Sequence, residues 1–297
     1  MPSATVATAP SFELAEGVLW DDRREQLVWV DIIAGQVFRG TLGEAAITVD
    51  ETFDVDEWVG AVALADDGGL LVAATRGLVT IAPDGTASRG PDLFGDRQNL
   101  RFNDGSVDPQ GRFVVGSLGL VEHTPVHELV RISPDGSVDT LRSGVTLSNG
   151  IGFSPDGSTI YHVDSIAGTV SRHSYGAGEF DSDEPWVPLP IDFGELSPDG
   201  LTVAADGTLW IAIWNGWRVA HYTATGELLG SIAIDAPQSS CMGFAGPALD
   251  RMVITSGAEN MPEPRIAASG ALFVADPEAV GLPTPRWAGN TSTPYWA

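Results

Sequence analysis

The sequence predicts an all-β chain folded as a single six-bladed β-propeller domain over residues 1–297. First, a Gly, a short strand, a polar turn and a strongly apolar second strand recur six times. Second, the opening glycines lie 43 to 50 residues apart. Third, the segments between these copies read as further hairpins. This period fits four short strands, and four-stranded units repeated radially form a propeller. A pair of β-sandwiches with accidental periodicity is the alternative.

Each repeat reads as a hairpin because a turn-forming pair separates two apolar runs. Asp206-Gly207, for example, lies between LTVAA and TLWIAIW, and both residues tolerate the positive φ of a tight turn. The six copies are GVLWDDRREQLVWVD (17–31), GAVALADDGGLLVAA (60–74), GSVDPQGRFVVGS (105–117), GIGFSPDGSTIYHVD (150–164), GLTVAADGTLWIAIW (200–214) and GFAGPALDRMVITS (243–256). Second hairpins are expected in 77–90, 128–141 and 218–232.

Charge and cysteine content exclude several classes of protein. Forty acidic and fifteen basic residues give a net charge of −25, and every basic residue is arginine. A nucleic-acid binder needs a basic face, and Schiff-base catalysis and a Walker phosphate loop both need lysine. No run is long enough to cross a membrane, and no signal peptide is evident. The single cysteine, Cys241, fits a reducing cytoplasm, so we expect a cytoplasmic protein with no nucleic-acid or membrane partner.

The residue before each opening glycine suggests a metal site at one mouth of the central channel. Equivalent positions in a propeller lie at the same height around its axis, so these side chains are expected to converge. Crowded carboxylates repel one another unless a cation neutralises them, and an all-oxygen donor set favours a hard divalent ion. A turn preference for Asp and Asn is the alternative, but it does not explain Glu16. The six residues are Glu16, Val59, Asp104, Asn149, Asp199 and Met242.

The same mouth is predicted to carry groups that contact a substrate. Just before Asp104, the run NLRFND places Arg101 and Asn103 at the rim. A guanidinium beside an amide suits a polyhydroxylated or anionic ligand. Either residue alone would be better explained as a rim solubiliser or strand-end cap, so the prediction rests on their adjacency to the oxygen cluster. The loop LGLVEHTPVHE is expected to overhang this rim and to bring Glu122 near it.

Four stretches resemble the senescence-marker-protein/gluconolactonase family, which includes regucalcin and the sugar lactonases. The resemblance covers nearly the full length of the chain. The stretches are LAEGVLWDDRREQLVWVDI, RFNDGSVDPQGRFVVGS, LSNGIGFSPDGSTIYHVDS and SPDGLTVAADGTLWIAIWNGWRV. The resemblance implies one divalent ion at the channel mouth, held by Glu16, Asn149 and Asp199. It also implies that Asp199 donates and accepts protons and that Arg101 and Asn103 contact substrate.

The chain departs from the family pattern at two places. Val18 stands where the family usually has a proline after the first ligand and its glycine. Val121 stands where a glutamate often contacts substrate, so Glu122, one residue on, is the candidate replacement. Asp104 is expected to lie behind the ligands and to orient them or the water bound to the ion.

These observations predict a divalent-metal-dependent hydrolase that opens a sugar-acid lactone to the aldonic acid. The substrate would be an aldonolactone such as gluconolactone or another pentono- or hexonolactone. Ca²⁺ is the expected ion, with Zn²⁺, Mn²⁺, Mg²⁺ or Fe²⁺ as alternatives, because oxygen-ligand sites accept all of them. Hydrolysis of organophosphates or other esters, and a non-catalytic calcium-binding propeller, are the alternative functions. A monomer and a small homo-oligomer are both compatible with the sequence.

Overall fold

The computed structural model describes residues 3–121, 124–176, 180–261 and 265–297. Six four-stranded antiparallel sheets account for all the strands of these residues, which confirms the predicted six-bladed propeller. Within the described ranges the chain contains no α-helix. Accordingly, none of the described segments is a helix long and apolar enough to cross a bilayer.

The first three blades are consecutive four-stranded units, preceded by a short strand, β1 (Thr5–Val6). Blade one contains β2 (Ala15–Asp21), β3 (Gln26–Asp31), β4 (Gln36–Leu42) and β5 (Ile47–Asp54). Blade two contains β6 (Val59–Leu64), β7 (Leu70–Ala74), β8 (Gly77–Ile81) and β9 (Ala87–Asp92). Blade three contains β10 (Leu100–Val107), β11 (Phe113–Gly119), β12 (His127–Ile132) and β13 (Val138–Val145).

Blades four and five repeat this order, and blade six completes the ring. Blade four contains β14 (Ser148–Phe153), β15 (Thr159–Asp164), β16 (Thr169–Ser174) and β17 (Val187–Pro188). Blade five contains β18 (Ser197–Val203), β19 (Leu209–Trp214), β20 (Arg218–Tyr222) and β21 (Leu228–Ala233). Blade six contains β22 (Ser239–Ala245), β23 (Arg251–Ser256) and β24 (Phe273–Ala275).

The ring is closed by the N-terminal segment of the chain. Strand β1 pairs with β24, with Thr5 opposite Val274 and Val6 opposite Phe273, and so forms the outer strand of blade six. This closure joins the two ends of the repeat array through backbone hydrogen bonds. The sequence repeat did not predict it, because two exposed residues carry no hydrophobic pattern.

The apolar core lies between the blades. Six buried clusters form, and each joins residues of two adjacent blades around the ring. Glycine allows the innermost strands to approach closely enough for this packing. A Cβ at Gly150 would lie 2.6 Å from the carbonyl oxygen of Asp199 in the next blade. A glycine is therefore required at Gly150 because the neighbouring inner strand leaves no room for a side chain.

The C-terminal segment 276–297 crosses one face of the propeller. The Thr284 hydroxyl donates to the Trp20 carbonyl oxygen at 2.9 Å, and Arg286 pairs with Asp21 at 2.7 Å. Trp287 bridges to Ala65 of blade two and is almost completely buried. This segment connects blades one and two at the ends of β2 and β6, on the face of the propeller opposite the start of these strands.

Candidate metal and substrate site

A cavity of about 170 Å³ lies at one mouth of the channel, where β2, β14 and β18 begin. Its wall includes Glu16, Asn149 and Asp199, the three ligands implied by the family resemblance. Arg101 and Asn103 line the same cavity. Each of these five side chains is buried. The remaining lining residues are Leu14, Ile32, Leu118, Leu147, Ser165, Ile166, Ser197, Trp214 and Glu259.

Two buried aspartates hold the backbone that leads into the candidate ligands. Asp31, at the end of β3, accepts hydrogen bonds from the Glu13 and Leu14 amides at 2.8 and 3.1 Å. Asp164, at the end of β15, accepts from the amides of the two residues before Ser148, at 2.9 and 3.1 Å. In blades one and four, a β-bulge then begins at the candidate ligand in the inner strand and turns its side chain towards the channel.

A hydrogen-bond chain sets the orientation of the Asn149 amide. Its Nδ2 donates to the Ser165 hydroxyl at 2.8 Å, and that hydroxyl donates to the Pro198 carbonyl oxygen at 2.6 Å. Its Oδ1 accepts from Asn103 Nδ2 at 2.8 Å and keeps a second lone pair for another partner. Ser165 therefore couples the Asn149 side chain to the residue immediately before Asp199.

The surroundings of three buried acids, Glu16, Asp104 and Asp199, disfavour their ionisation. Burial, followed by the charge of Asp104, raises the pKa of Glu16 to about 8. Burial raises the pKa of Asp104 to about 6. Burial and then the charges of Glu16, Asp104 and Glu259 raise the pKa of Asp199 well above its ordinary value. Such a group of buried acids is stable in its ionised form only beside a compensating cation.

Arg101 and Asn103 form a rigid pair beside these acids. Arg101 Nη1 donates to Asn103 Oδ1 at 2.7 Å and to the Phe102 carbonyl oxygen at 2.9 Å. The guanidinium carbon lies 5.3 Å from the centre of the Trp58 ring. Among the described residues, nothing accepts a hydrogen bond from Arg101 Nε, although this atom is buried. The Arg101 side chain thus lines the cavity and keeps one buried donor without an acceptor among the described residues.

The donor set fits a hard divalent cation. Glu16 and Asp199 supply carboxylate oxygens, and Asn149 supplies an amide oxygen. Among the described residues that line the cavity there is no cysteine or histidine, and an all-oxygen donor set favours Ca²⁺ or Mg²⁺ over soft metals. In the part of the chain that the structure describes, no group of three or more His, Cys, Asp or Glu is arranged to hold a metal. The third candidate ligand here is an amide, which lies outside that class of group.

The predicted convergence of all six side chains is wrong for two blades. Val59 and Met242 pack in apolar clusters between blades. In blade six the bulge spans Ser240 and Cys241, so Met242 lies beyond it and pairs with Ile254. In blade five, by contrast, Asp199 lies within the bulge. When the repeats are aligned on their opening glycines, blade six is therefore out of register by one residue. Cys241, and not Met242, corresponds to Asp199.

Cys241 takes the place near the acids that Met242 was expected to occupy. Burial, then the charges of Glu16, Asp104 and Asp199, raise the pKa of its thiol well above the ordinary value. The thiol is buried and therefore remains protonated.

Of the two remaining predicted site residues, Asp104 and Glu122, the structure describes only Asp104. Asp104 lines a second cavity of about 320 Å³, which opens on the channel side away from the candidate ligands. One of its carboxylate oxygens accepts from the Gly105 amide at 2.7 Å. This place behind the ligands matches the predicted position, while an orienting role stays a prediction. Glu122 lies outside the described residues.

One residue of the cavity, Glu259, has no counterpart among the sequence predictions. It follows the end of β23 by three residues, and its carbonyl oxygen accepts from Gln238 Nε2 at 3.0 Å. Glu259 lies three residues beyond Ser256, where the sixth copy of the repeat ends, so the repeat carries no signal for it.

Comparison with known proteins finds relatives over nearly the whole chain. Residues 14–258 match the SMP-30/Gluconolactonase/LRE-like region. The chain is 32% identical over 282 residues to pentonolactonase XacC of Haloferax volcanii, covering 92% of this chain and 94% of the relative. It is 31% identical over 296 residues to the L-arabinolactonase of Azospirillum brasilense, covering 97% and 96%.

Solved structures share the same fold. The calcium-binding protein regucalcin of Agrobacterium tumefaciens superposes with a TM-score of 0.87 at 25% identity, covering 96% of this chain and 97% of that structure. The matched region includes all six inner strands and every candidate ligand. The chain therefore belongs to the SMP-30/gluconolactonase/LRE-like family.

Proposed function

We propose that this protein is a divalent-metal-dependent hydrolase that opens sugar lactones to aldonic acids. The observation that carries the proposal is one small cavity that combines buried Glu16, Asn149 and Asp199 with the Arg101–Asn103 pair. Relatives named pentonolactonase and L-arabinolactonase support the reaction class. The relative named a calcium-binding protein supports Ca²⁺ as the ion.

Glu16, Asn149 and Asp199 would hold the cation. When bound, the cation supplies Lewis-acid polarisation of the lactone carbonyl and lowers the pKa of an adjacent water. A carboxylate oxygen of Asp199 accepts the proton of the attacking water and returns it to the ring oxygen as the acyl C–O bond breaks. The hydroxyl adds to the carbonyl carbon, and the ring oxygen becomes an alcohol. The resulting acid ionises and releases one proton.

Arg101 and Asn103 orient the substrate. The guanidinium of Arg101, which lines the cavity, donates to a hydroxyl or carbonyl oxygen of the sugar. Asn103 is held by Arg101 on one side and by Asn149 on the other, so its position relative to the candidate ligands is defined. A volume of about 170 Å³ is below the roughly 300–1,000 Å³ of sites for larger ligands, which favours a single sugar ring.

A proton-release assay tests this proposal. Protein stripped with chelator is tested on five- and six-membered aldonolactones, and each divalent ion is added back in turn. We expect acid release that requires the ion and falls at least a hundredfold in Asp199→Asn, which removes the proton acceptor. Asp250→Asn is the matched control, because Asp250 is exposed in the turn between β22 and β23 at the opposite end of the blade. Activity near wild type in Asp199→Asn contradicts the assigned role.

A further inference from the structure

Glu259 places a fourth carboxylate in the cavity, on the side of blade six. It lines the cavity together with Arg101, Asp199 and Trp214, and its side chain is half-buried. The bond from Gln238 to its carbonyl oxygen and the positive φ of Asn260, 57°, define the turn that carries it. The backbone that carries Glu259 is therefore held in a defined turn at the cavity wall.

The charges of this cavity leave no spare positive group for an anionic substrate. Glu259 and then Glu16 are the acids that face Arg101 and counteract the lowering of its pKa by burial. Three carboxylates, those of Glu16, Asp199 and Glu259, line the cavity with one guanidinium, and the Asp104 carboxylate lies behind them. Arg101 and a bound divalent cation would together only balance the three carboxylates, so no positive charge is left over for an anionic group. The whole chain carries a net charge of −25, which adds to the repulsion of anions.

We propose that Glu259 is a specificity-determining residue that selects an uncharged polyhydroxylated lactone and rejects lactones bearing a phosphate or sulfonate group. This inference rests on the proposed function, because it concerns the substrate of the same cavity. The Glu259 carboxylate accepts a hydrogen bond from a ring hydroxyl, while the Arg101 guanidinium donates to another oxygen of the ring. A carboxylate and a guanidinium together match hydroxyl groups, which both donate and accept.

Rejection of anions follows from the same carboxylate. A phosphate or sulfonate on the ring would approach Glu259 without a cationic partner of its own. Two like charges a few ångströms apart near a protein surface repel strongly enough to change affinity by roughly tenfold or more. Removal of the charge alone is therefore expected to weaken the discrimination between neutral and anionic rings without removing the cavity.

Equilibrium binding of two ring compounds that cannot be hydrolysed tests the inference. The probes are 1,5-anhydroglucitol, which is neutral, and its 6-phosphate, titrated calorimetrically into protein at fixed Ca²⁺. We expect the wild type to prefer the neutral ring and Glu259→Gln to reduce this preference roughly tenfold. Glu259→Asp keeps the charge and is expected to keep most of the preference. Glu227→Gln is the matched control, since it removes an exposed charge in the turn between β20 and β21, at the opposite end of the blade.

The outcomes separate this inference from the proposed reaction. An unchanged preference in Glu259→Gln, a wild-type preference for the phosphate, or binding of neither ring overturns the role of Glu259. Hydrolysis of glucono-1,5-lactone is measured on the same samples. Absent hydrolysis with an intact, Glu259-dependent preference for the neutral ring contradicts the proposed reaction and supports the assigned specificity.

Discussion

Ser165→Ala tests how the candidate ligands are held in place. Ser165 is buried, accepts from Asn149 Nδ2 at 2.8 Å and donates to the Pro198 carbonyl oxygen at 2.6 Å. Alanine removes both bonds and leaves two buried polar groups without this partner. At about 1–2 kcal/mol for each group, the free energy of unfolding should fall by about 2–4 kcal/mol. The freed Asn149 amide should also lower the affinity for Ca²⁺ by roughly tenfold or more, as expected when a group that orients a ligand is lost.

Urea unfolding and calorimetric Ca²⁺ titration measure these two effects. Unfolding is followed in chelator, so that loss of bound cation does not contribute to the difference. Ser137→Ala is the control, because Ser137 is exposed and its hydroxyl bonds only within the turn between β12 and β13. It should change stability by no more than about 0.5 kcal/mol. A Ser165→Ala protein with wild-type stability and wild-type Ca²⁺ affinity would refute the assigned positioning role.

Two further predictions concern packing and pH. Gly150→Ala places a methyl 2.6 Å from the Asp199 carbonyl oxygen, so thermal unfolding should show a loss of about 1–3 kcal/mol; an unchanged melting temperature would mean that the inner strands separate freely. Burial opposes ionisation of Asp21, but Arg286 and Arg39 outweigh it and lower its pKa below 3.8. Asp21 therefore stabilises the fold above its unfolded pKa and loses this contribution as pH falls through the lower folded value. Arg286→Ala should reduce stability at pH 7 and make stability depend less on pH as pH falls through and below the ordinary pKa of an aspartate, as measured by urea unfolding; identical pH profiles would contradict the ion pair's role.

The repeat predicted the fold well because its signals are local. Each hairpin has its own turn chemistry, and glycines such as Gly150 are required by contact with the next inner strand. Closure by β1 and the course of residues 276–297 were not predicted, since both depend on contacts between distant parts of the chain. Thr5 meets Val274, and Arg286 meets Asp21. Neither pairing leaves a periodic pattern in the sequence.

The site, like the fold, could be predicted where the signal is local and not where it depends on tertiary contacts. Glu16, Asn149 and Asp199 share one cavity, as the common position before a glycine indicated. The displacement of Met242 was not visible, because the bulges of different blades contain different numbers of residues. Glu259 was missed because its position depends on a turn after β23 that lies outside the repeat. Register within a bulge and the path of connecting turns are set by tertiary packing, which a sequence pattern does not encode.

The most direct test of the central claim is an anomalous difference map from crystals grown with Mn²⁺, which can replace Ca²⁺ at oxygen-ligand sites. The claim predicts one strong peak in the cavity, within coordinating reach of Glu16, Asn149 and Asp199. The peak should disappear in crystals of Asp199→Asn grown under the same conditions, or weaken greatly. A strong peak only elsewhere on the propeller, with this cavity empty, would contradict the assignment of these three residues as the metal site.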